Sequence, residues 1–108
     1  MNSEAPTQAE LIDMTRYTIF RTGSKVQRYY QIDKLIMGVK TDDYWVQLRG
    51  NKVYCNCPGF NRQSFPAIDH KHVKLAQDFF DRGEPVGAHY RIHGTGAKAQ
   101  IEFLGAES

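Results

Sequence analysis

Two short pairs of metal-binding side chains, Cys55-Asn56-Cys57 and His70-Lys71-His72, lie within eighteen residues and hold both cysteines and two of the four histidines of the chain. Thiolates and neutral imidazoles are the donors that tetrahedral zinc takes, and a closed structural site uses four of them. Cys55, Cys57, His70 and His72 are therefore the candidate ligands of one Zn2+. Pro58-Gly59 supplies the chain reversal that lets both sulfurs aim at one point. The histidines need another device, because residues two apart on a helix point to nearly opposite sides. They can share an ion only where the chain enters a helix. Asp69 has the form of an N-cap, His72 then falls in the first turn, and Val73, Leu75, Ala76, Phe79 and Phe80 carry an apolar stripe. Gly83 and Pro85 end the helix. Phe60, Val73, Leu75 and Phe79 are expected beside the site. Without a metal, the same residues read as inert buried thiols and a solvated helix start.

The order strand, Cys55-x-Cys57-Pro58-x-Phe60, variable loop, Lys71-His72-Val73, helix resembles the SWIM zinc finger, whose pattern is Cys-x-Cys, a spacer, then Cys-x-His. His70 stands where that family has its third cysteine, which keeps a metal donor but makes the set Cys2His2 and less anionic. The resemblance covers residues 44–82. It implies a ββα finger and a function in DNA binding or protein interaction, as in the transposases, chromatin remodellers and ubiquitin-ligase adaptors where such fingers occur.

The elements that must position these residues read as an α+β chain of antiparallel hairpins with one amphipathic helix. Tyr44, Val46 and Leu48 alternate with Trp45 and Gln47, the period of a half-buried strand. A tight connection at Arg49-Gly50-Asn51-Lys52 leads into Val53-Tyr54-Cys55. Upstream, residues 26–32 and 34–39 are rich in strand formers, with a break expected near Asp33 and a polar turn at Lys40-Thr41-Asp42-Asp43. Downstream, Ala88, Tyr90 and Ile92 alternate with His89, Arg91 and His93, and a glycine turn leads to a second alternating run. This is a C-terminal hairpin at residues 87–104. His89 and His93 fall on its polar face and are the substitutes to consider if His70 is not a ligand. Near the start, Thr7 and Glu10 form a capping box. Leu11, Ile12, Met14, Tyr17 and Phe20 fit one helical face up to Arg21, while the β-branched and aromatic residues of 14–20 fit a strand. Residues 1–6 and the last few read as frayed tails.

At 108 residues the chain reads as one domain, 1–108, small enough that a metal staple would help its core. No apolar run approaches the roughly 20 residues of a membrane span, and the first eight residues do not look like a signal peptide. No membrane association is expected. Thiolate ligands without further cysteines suit a reducing compartment, the cytoplasm or nucleus. Four donors imply a closed site rather than a catalytic one, and no nucleophile triad, phosphate loop or carboxylate pair is recognisable, so an enzyme is not expected. Two partners fit. For DNA or another nucleic acid, Arg49, Lys52, Arg62, Lys71 and Lys74 surround the finger, with Arg16, Arg21, Lys25, Arg28, Tyr29 and Tyr30 before it. Fourteen Lys and Arg against twelve acids is an ordinary balance, so composition alone does not choose. For a protein partner, Tyr29, Tyr44 and Trp45 are the candidate anchors of an adaptor.

Overall fold

The computed structural model describes residues 7–23, 28–49, 52–62 and 64–107. Residues 1–6, Lys25, Val26, the Gly50-Asn51 connection and Ser108 lie outside the described residues, whereas Glu107 before it is tied down by its N–H on the Val86 carbonyl at 2.8 Å. Helix α1 (Gln8–Met14) leads into β1 (Thr15–Thr22), β2 (Arg28–Ile36), β3 (Val39–Arg49) and β4 (Lys52–Cys55). After the cysteine turn come α2 (Lys71–Asp81), β5 (His89–His93) and β6 (Gln100–Gly105). The strands form one antiparallel sheet in the order β4-β3-β2-β1-β5-β6. Among the described residues no helix is long and apolar enough to cross a membrane.

The α+β character stands, but the separate hairpins do not. They are joined by β1, which pairs along its length with β2 from Thr15↔Ile36 to Thr22↔Tyr29 and takes β5 on its other edge through Tyr17↔Tyr90 and Thr18↔His89. Thr7 caps α1 as expected, its hydroxyl accepting from the Glu10 N–H at 3.1 Å. The helix then stops at Met14, well short of Arg21. From Thr15 onward the extended reading holds, because strand pairing on both edges satisfies more backbone than a short terminal helix could.

Two expectations in β2 and β3 are corrected. The strand runs on through Asp33, which pairs with Thr18 and Asp43 within the ladder, and the irregularity near it is a register shift against β3 between Lys34 and Leu35. Its carboxylate accepts from Gln31 Nε2 at 3.0 Å and lies 3.5 Å from the Lys40 ammonium, so its charge is compensated in place. The reversal comes earlier than Lys40-Asp43, at Met37-Gly38, where φ is +52° and +82°. Two successive positive φ values are the mark of the hairpin turn whose twist matches its strands, and asparagine rather than methionine is its usual first residue.

One sheet face is covered. Tyr17 and Ile19, Tyr30 and Ile32, Val46 and Leu48, and Tyr90 and Ile92 alternate inward along their strands and bury against Val73, Leu75, Ala76 and Phe79 of α2. The helix ends in a Schellman arrangement, with the N–H of Gly83 on the Phe80 carbonyl at 3.0 Å and that of Glu84 on the Phe79 carbonyl at 2.9 Å. The Glu84 carboxylate then accepts from Tyr30 Oη at 2.6 Å and Arg21 Nη1 at 2.9 Å, tying the end of α2 to β1 and β2.

Because Met37 holds a left-handed conformation that costs most side chains free energy, Met37→Asn should stabilise the fold by about 0.5–1 kcal/mol. Gly38→Ala should destabilise it by about 1 kcal/mol or more. Urea unfolding followed by circular dichroism measures both, and a Met37→Asn midpoint at or below that of the parent would contradict the turn.

Candidate metal centre

Cys55 ends β4 with its side chain buried, and Cys57 follows at the start of the Pro58-Gly59 turn, where its carbonyl accepts from the Phe60 N–H at 3.1 Å. A 3-10 turn at Phe60–Arg62 and another at Ala67–Asp69 carry the chain over to α2. Asp69 is not the N-cap, since it closes the second of these turns. The cap is His70, in extended backbone at φ −65° and ψ 136°, with no side-chain capping bond. That geometry frees its imidazole to turn inward, while His72, the second helical residue, reaches the same point from within the first turn.

The structure brings the four donors together: Cys55, Cys57, His70 and His72 are all buried, and one ligand atom from each lies within 4.8 Å of the others. Cys55 Sγ is 3.5 Å from His72 Nδ1, Cys57 Sγ is 3.1 Å from His70 Nε2, and the two nitrogens are 3.2 Å apart. Zinc bond lengths with tetrahedral angles require about 3.6 Å between sulfur and nitrogen and about 3.4 Å between two nitrogens. These three separations match a metal ion of that size to within about 0.5 Å, and the four donors together are close enough to share one. His70 would present Nε2 and His72 would present Nδ1.

The surroundings hold the rings in place. Tyr44 stacks on the His72 imidazole with centroids 4.2 Å apart and planes 22° from parallel, and Tyr17 lies tilted at 6.2 Å. Phe60 sets its edge against His70 at 5.3 Å and also meets Tyr54 at 5.6 Å. Tyr44 is thus part of the site's wall. Its place was readable from its parity with Val46 and Leu48. Phe79 packs farther off, on Tyr30 at 5.7 Å.

Burial sets the protonation states. His72 is pushed down to about 3, first by burial and then by His70, Lys71 and Lys34. His70 is lowered by burial and by Lys71. Burial pushes the Cys55 thiol up to about 12, against a backbone hydrogen bond from Cys57 that favours the thiolate. The pocket therefore holds its imidazoles neutral and ready to ligate, whereas thiolates require a cation to replace their protons. His72 Nε2 has no hydrogen-bond partner among the described residues, so the ring is oriented by its Nδ1 contacts with Cys55 and His70 and by aromatic packing.

The remaining candidates disperse. His93 Nε2 sits 2.8 Å from Glu102 and His89 Nδ1 donates to the Gly87 carbonyl at 3.0 Å, both outside the donor group. Arg62 and Lys71 line a depression of about 240 Å³ beside His70, with Gly59, Phe65 and Gly96. Lys52 and Arg28 line another. Lys74 is committed internally, donating to the carbonyls of Ala97 at 2.8 Å and Ala99 at 3.0 Å. Arg28 lies 4.3 Å over the Phe80 ring, Arg21 pairs with Glu84, Arg16 Nη1 donates to the Thr15 carbonyl, and Tyr30 is core. Arg49 is exposed.

Comparison of the chain with protein-family models, with curated proteins and with solved structures yields no match. What the site defines is a zinc-finger-like cluster; the SWIM resemblance rests on the motif residues alone.

Because the folded value of His72 lies below its ordinary 6.5, its contribution to stability is complete above pH 6.5 and is lost as pH falls toward about 3. Proton competition for the ligands acts in the same direction. Metal content and thermal midpoint should therefore fall together between pH 6.5 and 4, and a midpoint that rises on acidification would contradict the buried neutral imidazole. Cys55→Ser should lose the metal, while His89→Ala with His93→Ala should retain it, as elemental analysis would show.

Proposed function

We propose that the chain is a zinc-stabilised binding module whose partner is nucleic acid. Two cysteines and two histidines whose donor atoms lie within 4.8 Å of one another suit Zn2+ over harder cations. Side chains occupy all four positions, leaving no place for the water that hydrolytic zinc activates. The ion is then structural, closing the path from Cys55 to His72 and fixing the start of α2 to the edge of the sheet. Metal binding and folding should be coupled, by roughly 10 kcal/mol or more in comparable small fingers.

The observation that carries the nucleic-acid reading is how the cations are used. Arg21, Lys40, Arg82 and Arg91 are each held by a carboxylate. Arg49, Lys52, Arg62 and Lys71, in β3, β4 and the finger, make no ion pair among the described residues, and neither do Lys34 and Lys98. Cations left without a carboxylate around a rigid staple suit phosphate, and the SWIM-like motif order supports the same partner. Exposed Trp45 and Tyr54 favour a second reading, an adaptor that docks a protein.

Salt separates the two. Binding through these four cations should weaken with rising salt at a log-log slope of about −3 to −4. Removing Arg49 and Lys52 together should flatten that slope by about 2 while zinc stays bound. Fluorescence anisotropy of labelled oligonucleotides measures this, and binding that is absent or indifferent to salt would favour the adaptor.

A further inference from the structure

The sheet has a second face that α2 does not cover, and its composition is unusual. Cross-strand register places Tyr54, Gln47 and Tyr29 in one row across β4, β3 and β2. The next row runs Trp45, Gln31, Phe20 across β3, β2 and β1. Aromatic and amide side chains therefore alternate in both directions, as on a chequerboard. Trp45 is 55 % exposed, Tyr54 48 % and Phe20 47 %. Tyr29 touches Trp45 diagonally, with ring centroids 6.4 Å apart. Rings that could have been buried instead face solvent together, and a patch of this kind marks a binding surface.

Charge narrows the occupant. Neither row contains a carboxylate. Arg49 and Lys52, which pair across β3 and β4, follow Gln47 and Tyr54 by strand alternation and so border the first row on the same face. The nearest acids, Asp33 and Asp43, lie in the row beyond Trp45; they share the Lys40 ammonium at 3.5 and 3.1 Å, and Asp33 also accepts from Gln31 Nε2 at 3.0 Å. Flat π surfaces, amides that both donate and accept, and cations at one border match bases and phosphates together. Strand geometry sets aromatics in one row about 9.6 Å apart and successive rows about 6.8 Å apart. Both exceed the roughly 3.4 Å between stacked bases of a duplex strand, so a base reaches these rings only by leaving its neighbours. A duplex keeps its base faces inside, whereas an unpaired strand can offer them.

We propose that this face, from β4 to β1, is a stacking platform for single-stranded nucleic acid, with Trp45, Phe20, Tyr29 and Tyr54 taking bases and Arg49 and Lys52 the backbone. It rests on the nucleic-acid reading above and assigns that reading a face and a strandedness. Tyr54 meets Phe60, which meets His70, so the metal site buttresses the platform edge without touching the ligand.

Trp45 is the chain's one tryptophan and so reports directly on its own contact. The zinc-loaded chain is titrated at low salt with a thymidine oligonucleotide of about 15 nucleotides and with the corresponding duplex. Saturable quenching of Trp45 by the single strand, at least tenfold tighter than by duplex, is the expected result. Trp45→Ala, followed with a labelled oligonucleotide, should weaken binding roughly 5- to 150-fold, the range for loss of one base–aromatic stack, with an unchanged salt slope. Phe20→Ala keeps the reporter and should weaken binding in the same sense. Zinc content and circular dichroism check that both variants are folded. Duplex binding equal to or tighter than single-strand binding, with Trp45 emission unmoved and Trp45→Ala harmless, would overturn the platform and leave the nucleic-acid module standing. No binding of either form would overturn both. Self-association that Trp45→Ala abolishes would assign the face to a second copy of the chain and overturn the platform.

Discussion

Four polar donors converge in the core within 4.8 Å, and the rest of the fold is arranged around that convergence. Buried sulfur and imidazole groups with few hydrogen-bond partners are costly unless something satisfies them jointly, and a cation would do so for all four. The same convergence solves a covering problem. Helix α2 has eleven residues and so spans about 16 Å, whereas six strands make a sheet about 24 Å wide. One helix cannot shield that face. The cluster, with Tyr44 and Tyr17 against it and Phe60 at its rim, fills the flank that α2 leaves.

Polar pins complete what the metal donors begin. The start of α2 is held by His70 and His72, and its end by Glu84 on Arg21 and Tyr30. On the β5 side, Asp78 accepts from Tyr90 Oη at 2.8 Å and from Arg82 Nε at 2.6 Å. Lys74 reaches the turn before β6. The helix is thus fixed to strands from both halves of the sheet, and burying apolar area on that face leaves the opposite face free of structural duties. The aromatic and amide rows stand on that released face.

The candidate site was legible to an unusual degree because its information is local. Two Cys and two His at short spacing, a Pro-Gly turn after the first pair and an apolar helical stripe after the second need no distant partner to be recognised. The helix end was equally plain, since Gly83 adopts a φ that glycine tolerates best. Asp69 was misread for a related reason: an acid before a helix looks like a cap whether or not a 3-10 turn intervenes. His70 gives up capping because its side chain is needed in the core.

What the sequence by itself determined was therefore the donor set, the helix that follows it and the alternation of the β3–β4 and β5–β6 hairpins. Only the tertiary structure decided that residues 15–22 are a strand, that β1 joins the hairpins into one sheet, that Met37-Gly38 is the turn and that Trp45, Phe20, Tyr29 and Tyr54 share an open face. The physical reason is range. Donor spacing, caps and periodicity act between neighbours, whereas strand pairing and the choice of covered face are settled by segments far apart in the chain, whose contacts outweigh the weak local preferences of Asp33 and Lys40.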